Sequence, residues 1–159
     1  MNQKGFTLLT LVVGLGILGL LSSSAGAVVS QSVRSSYKGN DTLGAFNTIE
    51  NAGFWISRDG RMADTTDLIN GGGPVSSVTL QWIDQFDLGS VQHSSTFELV
   101  GNEVRRTYDG VTRTLARNVS SLSFSLSNSL ITVIIESSPP GFAGVREQRS
   151  YLIYLRPTG

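Results

Sequence analysis

The sequence predicts an α+β fold, in which a long N-terminal helix with a membrane half and an amphipathic half packs on an antiparallel β-sheet. Three observations carry this prediction. No charged residue occurs in residues 5–33. Apolar residues then recur at three- and four-residue steps, as on one face of a helix. This stripe consists of Leu43, Phe46, Ile49, Ala52 and Ile56. After Pro74 the apolar period changes to two, which is the period of a half-buried strand.

Composition limits the classes of protein that the chain can represent. Its 159 residues allow one small domain beyond a membrane segment. The formal net charge is zero, so nothing argues for a surface that binds nucleic acid or anionic lipid, and no nucleic-acid partner is expected. The absence of cysteine excludes disulfides, thiolate metal sites and cysteine nucleophiles.

The uncharged run is long enough to cross a bilayer. As a helix, residues 5–33 would extend about 43 Å, against a hydrocarbon core of about 30 Å. Lys4 and the terminal amine precede this run and satisfy the positive-inside bias, which predicts a single span with its N-terminus in the cytoplasm. We therefore expect residues 6–33 to form a transmembrane helix.

Three interpretations of this N-terminal segment remain open. In the first, it is an ordinary secretory signal that is cleaved after Ala25-Gly26-Ala27, a good small-residue cleavage site. In the second, it is an uncleaved anchor. In the third, a short leader is removed and the apolar helix is kept.

The residues beyond the membrane segment are predicted to form one globular domain over 34–159. An amphipathic helix is expected at about 41–63. The cluster Asn70-Gly71-Gly72-Gly73-Pro74 breaks helical structure and places a loop at 64–74. The sheet is expected at 75–157.

Short strands account for the second half of the domain. Val78, Leu80 and Trp82 alternate with polar residues and predict the first strand. A polar loop is predicted after this strand, at 84–95. Later turns are predicted at Gly101-Asn102, Asp109-Gly110 and Ser127-Asn128. The apolar run 130–135 predicts a central strand, and 149–155 the last one. About seven strands joined by hairpins make an antiparallel sheet, and a helix on one face gives two layers.

No catalytic or metal-binding pattern emerges from the remaining residues. His93, the single histidine, falls in the predicted polar loop, where a solvated side chain is expected. No sequence pattern marks a nucleophile, which favours a protein that is not an enzyme. Asp84 and Asp87 are weak candidates for a calcium site, but their spacing fits no EF-hand loop. We therefore predict no metal and no cofactor.

Four arginines fall on one predicted hairpin. They are Arg105, Arg106, Arg113 and Arg117. A basic patch for a partner or for DNA is one interpretation. Because Glu103 and Asp109 dilute the positive charge, a solvated polar face is the favoured one.

The sequence Lys4-Gly5-Phe6-Thr7-Leu8, at the boundary between the polar start and the apolar run, resembles the class III leader of type IV pilins and type II secretion pseudopilins. The resemblance implies that a prepilin peptidase removes residues 1–5 by cleaving after Gly5, and that Phe6 is then N-methylated. It further implies a pilin-like fold and an inner-membrane assembly platform. The helix would pack with other pilin or pseudopilin subunits, and the globular domain would be periplasmic or extracellular.

The second half of the chain is more specifically similar to the J-type minor pseudopilins and the W-type minor pilins. The segments that carry this similarity are residues 56–62, at the end of the predicted helix, and the hairpin series 99–106 and 115–124. The resemblance implies a minor subunit of a type II secretion pseudopilus or a type IV pilus.

One position departs from the family pattern. Pilins nearly always have Glu at the fifth mature position, where this chain has Thr10. The family's Glu pairs with the N-terminal amine of a neighbouring subunit, and an unpaired carboxylate in the membrane costs about 3 kcal/mol or more. Thr10 cannot supply that charge. The resemblance therefore predicts a non-enzymatic subunit that primes or caps a filament. The alternative is a secreted or membrane-anchored β-rich binding module with a conventional signal peptide.

Overall fold

A computed structural model of the chain describes residues 3–84, 90–138 and 146–157. Helix α1 spans Gln3–Met62. The strands are β1 (Thr65–Thr66), β2 (Ser77–Asp84), β3 (Val91–Val100), β4 (Glu103–Tyr108), β5 (Val111–Arg117), β6 (Val119–Ser127), β7 (Leu130–Ser137) and β8 (Glu147–Tyr154). The predicted combination of a long N-terminal helix and antiparallel strands is confirmed.

The chain divides into two units, Met1–Gly39 and Asn40–Gly159. The first unit contains the apolar part of α1, where large side chains such as Leu15 and Leu20 are exposed. By length and composition, this part of the helix could cross a membrane. A helix with its apolar side chains uncovered is suited to lipid or to packing against other helices.

The second unit has one hydrophobic core, to which the last turns of α1 contribute. Ile49, Ala52 and Ile56 are fully buried among strand residues, as the helical stripe predicts. The predicted stripe begins too early, because Leu43 is exposed and Phe46 lies at the border of exposure. The Phe46 ring instead lies 5.1 Å from the guanidinium carbon of Arg149.

Two antiparallel sheets replace the single predicted sheet. In the described part of the chain, one sheet has the order β1-β2-β3-β4-β5 and the other the order β6-β7-β8. The division falls at Asn118, which has a φ of 60° and lies between β5 and β6. Its carbonyl oxygen accepts hydrogen bonds from the backbone N–H of Ser138 and the hydroxyl of Ser137. Side chains of both sheets, such as Phe97 and Phe124, share the core.

The predicted hairpin turns are largely correct. Gly101-Asn102 joins β3 to β4, and Asp109-Gly110 joins β4 to β5 with φ values of 45° and 85°. Positive φ at both positions is the geometry that Asp-Gly favours in a two-residue hairpin. The third turn falls one residue later than predicted, at Asn128-Ser129. Strand β7 is central in its sheet, as its apolar sequence predicts.

The predicted polar loop at 84–95 is wrong at Asp84 and at 91–95, which lie in strands, while residues 85–89 lie outside the described part of the chain. Strand β2 continues to Asp84, and β3 begins at Val91 and pairs with β2 as far as Glu98. The sequence pattern concealed the first half of β3 because that half is polar, although Ser95 within it is fully buried. The predicted loop 64–74 likewise contains the short strand β1, and β8 begins at Glu147, two residues before the predicted start of the last strand.

Two helix glycines allow β8 to approach α1 closely. Gly53 and Gly60 lie two helical turns apart and therefore on the same face. A Cβ at Gly53 would overlap the Tyr151 ring, and one at Gly60 would lie 2.8 Å from Cγ2 of Ile153. The Tyr151 hydroxyl donates to the carbonyl of Ile49 at 3.4 Å, and burial raises the pKa of Tyr151 to about 12.

Candidate functional site

The predicted processing positions lie at the start of α1. The backbone of Lys4, Gly5 and Phe6 lies in the first turns of this helix. Thr10 lies one to two turns further on and is exposed. These positions lie at the head of the apolar segment of α1.

A second region with unusual side-chain chemistry lies in the globular unit. We call it the arginine cluster, and its central residues are Trp55, Asp59, Ser95, Arg106 and Tyr108. Asp59 is fully buried, and its Oδ2 accepts from the Ser95 hydroxyl at 2.6 Å and from Arg106 Nε at 2.7 Å. Oδ1 has no hydrogen-bond partner among the described residues. A buried carboxylate is retained only where such charge-assisted bonds offset its desolvation.

Aromatic rings hold the Arg106 guanidinium. Its central carbon lies 4.9 Å from the centre of the Trp55 ring and 4.6 Å from that of Tyr108. The Arg106 side chain is 13% exposed. Contacts of a cation with aromatic faces are strongest when the cation is desolvated, so the rings and Asp59 together fix the orientation of the guanidinium.

His93 extends the cluster along β3. Its ring stacks on Tyr108 with an interplanar angle of 12°, and its Nδ1 lies 2.7 Å from Oδ2 of Asp109. This hydrogen bond holds the pKa of Asp109 below its usual value, and burial raises the pKa of the Tyr108 phenol. The prediction of a solvated loop histidine is therefore wrong, because His93 lies in a strand with its side chain 19% exposed.

Of the two weak calcium candidates, Asp84 and Asp87, the structure describes only the first. Asp84 lies at the end of β2, 3.5 Å from Nε2 of His93, and Asp87 lies outside the described residues. Among the residues that the structure describes, no three His, Cys, Asp or Glu side chains are grouped so that they could hold a metal ion.

The four arginines lie on the β4–β5 hairpin, as predicted, but their environments differ. Arg105 and Arg117 each lie 3.2 Å from the Glu103 carboxylate, and hydrogen bonding from Arg105 lowers the pKa of Glu103. Arg106 pairs with the buried Asp59. Arg113 is exposed, and no ion pair to it occurs in the described part of the chain. The favoured prediction of a uniformly solvated polar face is therefore wrong at Arg106.

A cleft opens between α1 and this hairpin, with a volume of about 440 Å³. We call it the hairpin cleft. Its lining consists of Asn51, Trp55, Arg106, Tyr108, Val111, Arg113, Thr114 and Leu115. The Asn51 side-chain amide donates to the carbonyl of Leu115 at 2.6 Å and ties the helix to β5. The volume falls in the range of small-molecule pockets, about 300–1,000 Å³.

The sequence carries one signal of this region, which is the position of Asp59 in α1. Asp59 lies three residues after Ile56 and therefore on the buried stripe of α1. An acidic residue on a buried stripe requires a partner, but no local rule identifies that partner.

Comparison of the chain with protein-family models, with curated proteins and with solved structures finds no match.

Proposed function

We propose that this chain is a minor pilin or pseudopilin, a structural and non-enzymatic subunit that primes or caps a type II secretion pseudopilus or a type IV pilus. The observation that carries the proposal is the junction Lys4-Gly5-Phe6 at the head of the apolar segment. In this proposal a prepilin peptidase cleaves after Gly5, and Phe6 becomes the methylated N-terminus.

The architecture supports the proposal in general terms. An exposed apolar helix precedes a globular unit in which the last turns of the same helix pack on antiparallel strands. A subunit of a helix-cored filament requires both parts. The apolar helix would pack with partner helices at the inner membrane, and the globular unit would lie in the periplasm or at the filament surface.

Thr10 supports a position at the tip. A carboxylate at this depth in a membrane is costly unless it is paired, and in pilins that pairing draws a subunit onto the filament end. Thr10 is neutral and avoids this cost, but it cannot attract the N-terminal amine of a neighbour. A subunit that starts a filament has no need of this attraction.

Processing by a prepilin peptidase tests the proposal. The full chain, expressed with and without the peptidase, should lose residues 1–5 only when the peptidase is present. A Gly5→Val variant should remain uncleaved, because a β-branched side chain replaces the glycine at the cleavage point. Processing that is unchanged in the absence of the peptidase would contradict the proposal.

A second candidate function has one specific observation in its favour. Ala25-Gly26-Ala27 matches a conventional signal-peptidase site, and cleavage there would release a β-rich binding module. That module would start at Val28 and would need no prepilin peptidase, so the same experiment separates the two candidates.

A further inference from the structure

We propose that the hairpin cleft is a binding site for a carboxylate that is joined to a small apolar group. Arg106 and Arg113 would bind the carboxylate, and the apolar and aromatic lining would contact the rest of the ligand. This inference rests on the globular unit alone and does not depend on how the N-terminus is processed.

The two arginines form a pair that lacks charge balance. Arg106 on β4 lies directly opposite Arg113 on β5, so their side chains point to the same face of the sheet. Directly opposed like charges destabilise a strand pair. Asp59 neutralises the Arg106 guanidinium, whereas no carboxylate among the described residues forms an ion pair with Arg113. An anion in the cleft would remove the repulsion.

Arg106 is pre-organised to bind such an anion. Its Nε faces Asp59 and Ser95, while Trp55 and Tyr108 hold the plane of the guanidinium. An arginine has five N–H donors, so the terminal nitrogens retain donors beyond the Nε bond. A guanidinium that is already fixed loses little entropy when it binds a planar carboxylate.

The rest of the lining determines what accompanies the carboxylate. Trp55 and Tyr108 add aromatic surface, and Val111 and Leu115 add aliphatic surface. Sites that combine a few charged donors with apolar walls favour ligands that carry both a charged group and an apolar group. Such a carboxylate could belong to a free small molecule or to the acidic side chain of a peptide, and the two sources share the same chemistry.

Nuclear magnetic resonance on the ¹⁵N-labelled full chain in detergent micelles tests the inference. Benzoate is the small-molecule probe, N-acetyl-glutamyl-phenylalanine amide is the peptide probe, and benzamide is the neutral control. We expect a carboxylate probe to shift the Trp55 indole and Arg106 Nε–H signals saturably, with a Kd of about 1–10 mM. Benzamide should leave these signals in place. Tighter binding of the peptide than of benzoate assigns the site to an acidic side chain, and the reverse assigns it to a free ligand.

Matched arginine variants make the test specific. Arg113→Gln should weaken carboxylate binding about tenfold, because a charge-assisted hydrogen bond is lost. Arg117→Gln removes a charge from the same strand outside the cleft and should leave the affinity unchanged. The inference is overturned if neither carboxylate saturates the signals, if benzamide binds equally well, or if the two variants behave alike.

Discussion

The Asp59–Arg106 pair should be the most sensitive polar contact of the globular unit. Replacing Arg106 with methionine keeps much of the side-chain volume but leaves a fully buried carboxylate without its cation. Arg113→Met is the matched control, because Arg113 lies opposite Arg106 on the neighbouring strand and is exposed.

The magnitude follows from burial and geometry. Asp59 is 0% exposed and Arg106 13% exposed, with 2.7 Å between Oδ2 and Nε. Removing one partner of a buried pair costs about 3–5 kcal/mol, because the other charge remains desolvated. That is a large fraction of a total stability of about 5–15 kcal/mol, and the melting temperature should fall by about 10–20 °C. Arg113→Met should change stability by less than about 0.5 kcal/mol.

Denaturant unfolding of the full chain in micelles measures the difference, with circular dichroism as the readout. The double variant Asp59→Leu with Arg106→Met should recover most of the lost stability, since no unpaired charge remains. The reasoning is refuted if Arg106→Met costs no more than Arg113→Met, or if the double variant is less stable than Arg106→Met alone.

Three further predictions concern other parts of the molecule. Gly53→Ala should destabilise the domain by about 1–3 kcal/mol, because the added Cβ overlaps the Tyr151 ring, whereas Gly44→Ala, with open space around it, should not; thermal melts compare the two. Asp109→Asn should lower stability near neutral pH. The folded pKa of Asp109 is depressed, so the ionised carboxylate stabilises the folded state at pH values above its unfolded pKa of 3.8. This stabilisation is lost as the pH falls through the folded pKa. Denaturation midpoints of the wild type and this variant should therefore converge as pH falls from about 5 to 2, and a constant difference would contradict the assignment. Thr10→Glu should increase incorporation along the filament shaft, as immunogold counts would show, and unchanged incorporation would count against the tip position.

Local chemistry made much of the fold predictable from sequence. The alternation through Val78, Leu80 and Trp82 predicted β2, and each of these side chains is buried. Asp109-Gly110 predicted a tight hairpin because these residue types accept positive φ. Such signals depend on neighbours in the chain and require no knowledge of distant contacts.

The arginine cluster could not be predicted, because its members are distant in sequence. Arg106 lies 47 residues from Asp59, and Ser95 lies 36 residues from it. Only the pairing of β3 with β4, and their packing on α1, bring them together. A run of polar residues is ambiguous for the same reason, because it can form a loop or a strand. The first half of β3 has the composition of a loop, and Ser95 is buried there because its hydroxyl bonds to the distant Asp59.

The division into two sheets was unpredictable for a related reason. A chain of hairpins gives one sheet if every successive pair of strands is hydrogen-bonded. The exception is the step from β5 to β6, where Asn118 turns the chain at positive φ. Asn tolerates this conformation, but a single Asn does not indicate whether the chain makes a hairpin or passes to a second sheet.

The mature N-terminus tests the central proposal most directly. Mass spectrometry of the N-terminal peptide, from chain purified out of a host that has a prepilin peptidase, would identify it. We expect a peptide that begins with methylated Phe6. A peptide that begins at Val28, or one that retains Met1, would contradict the account.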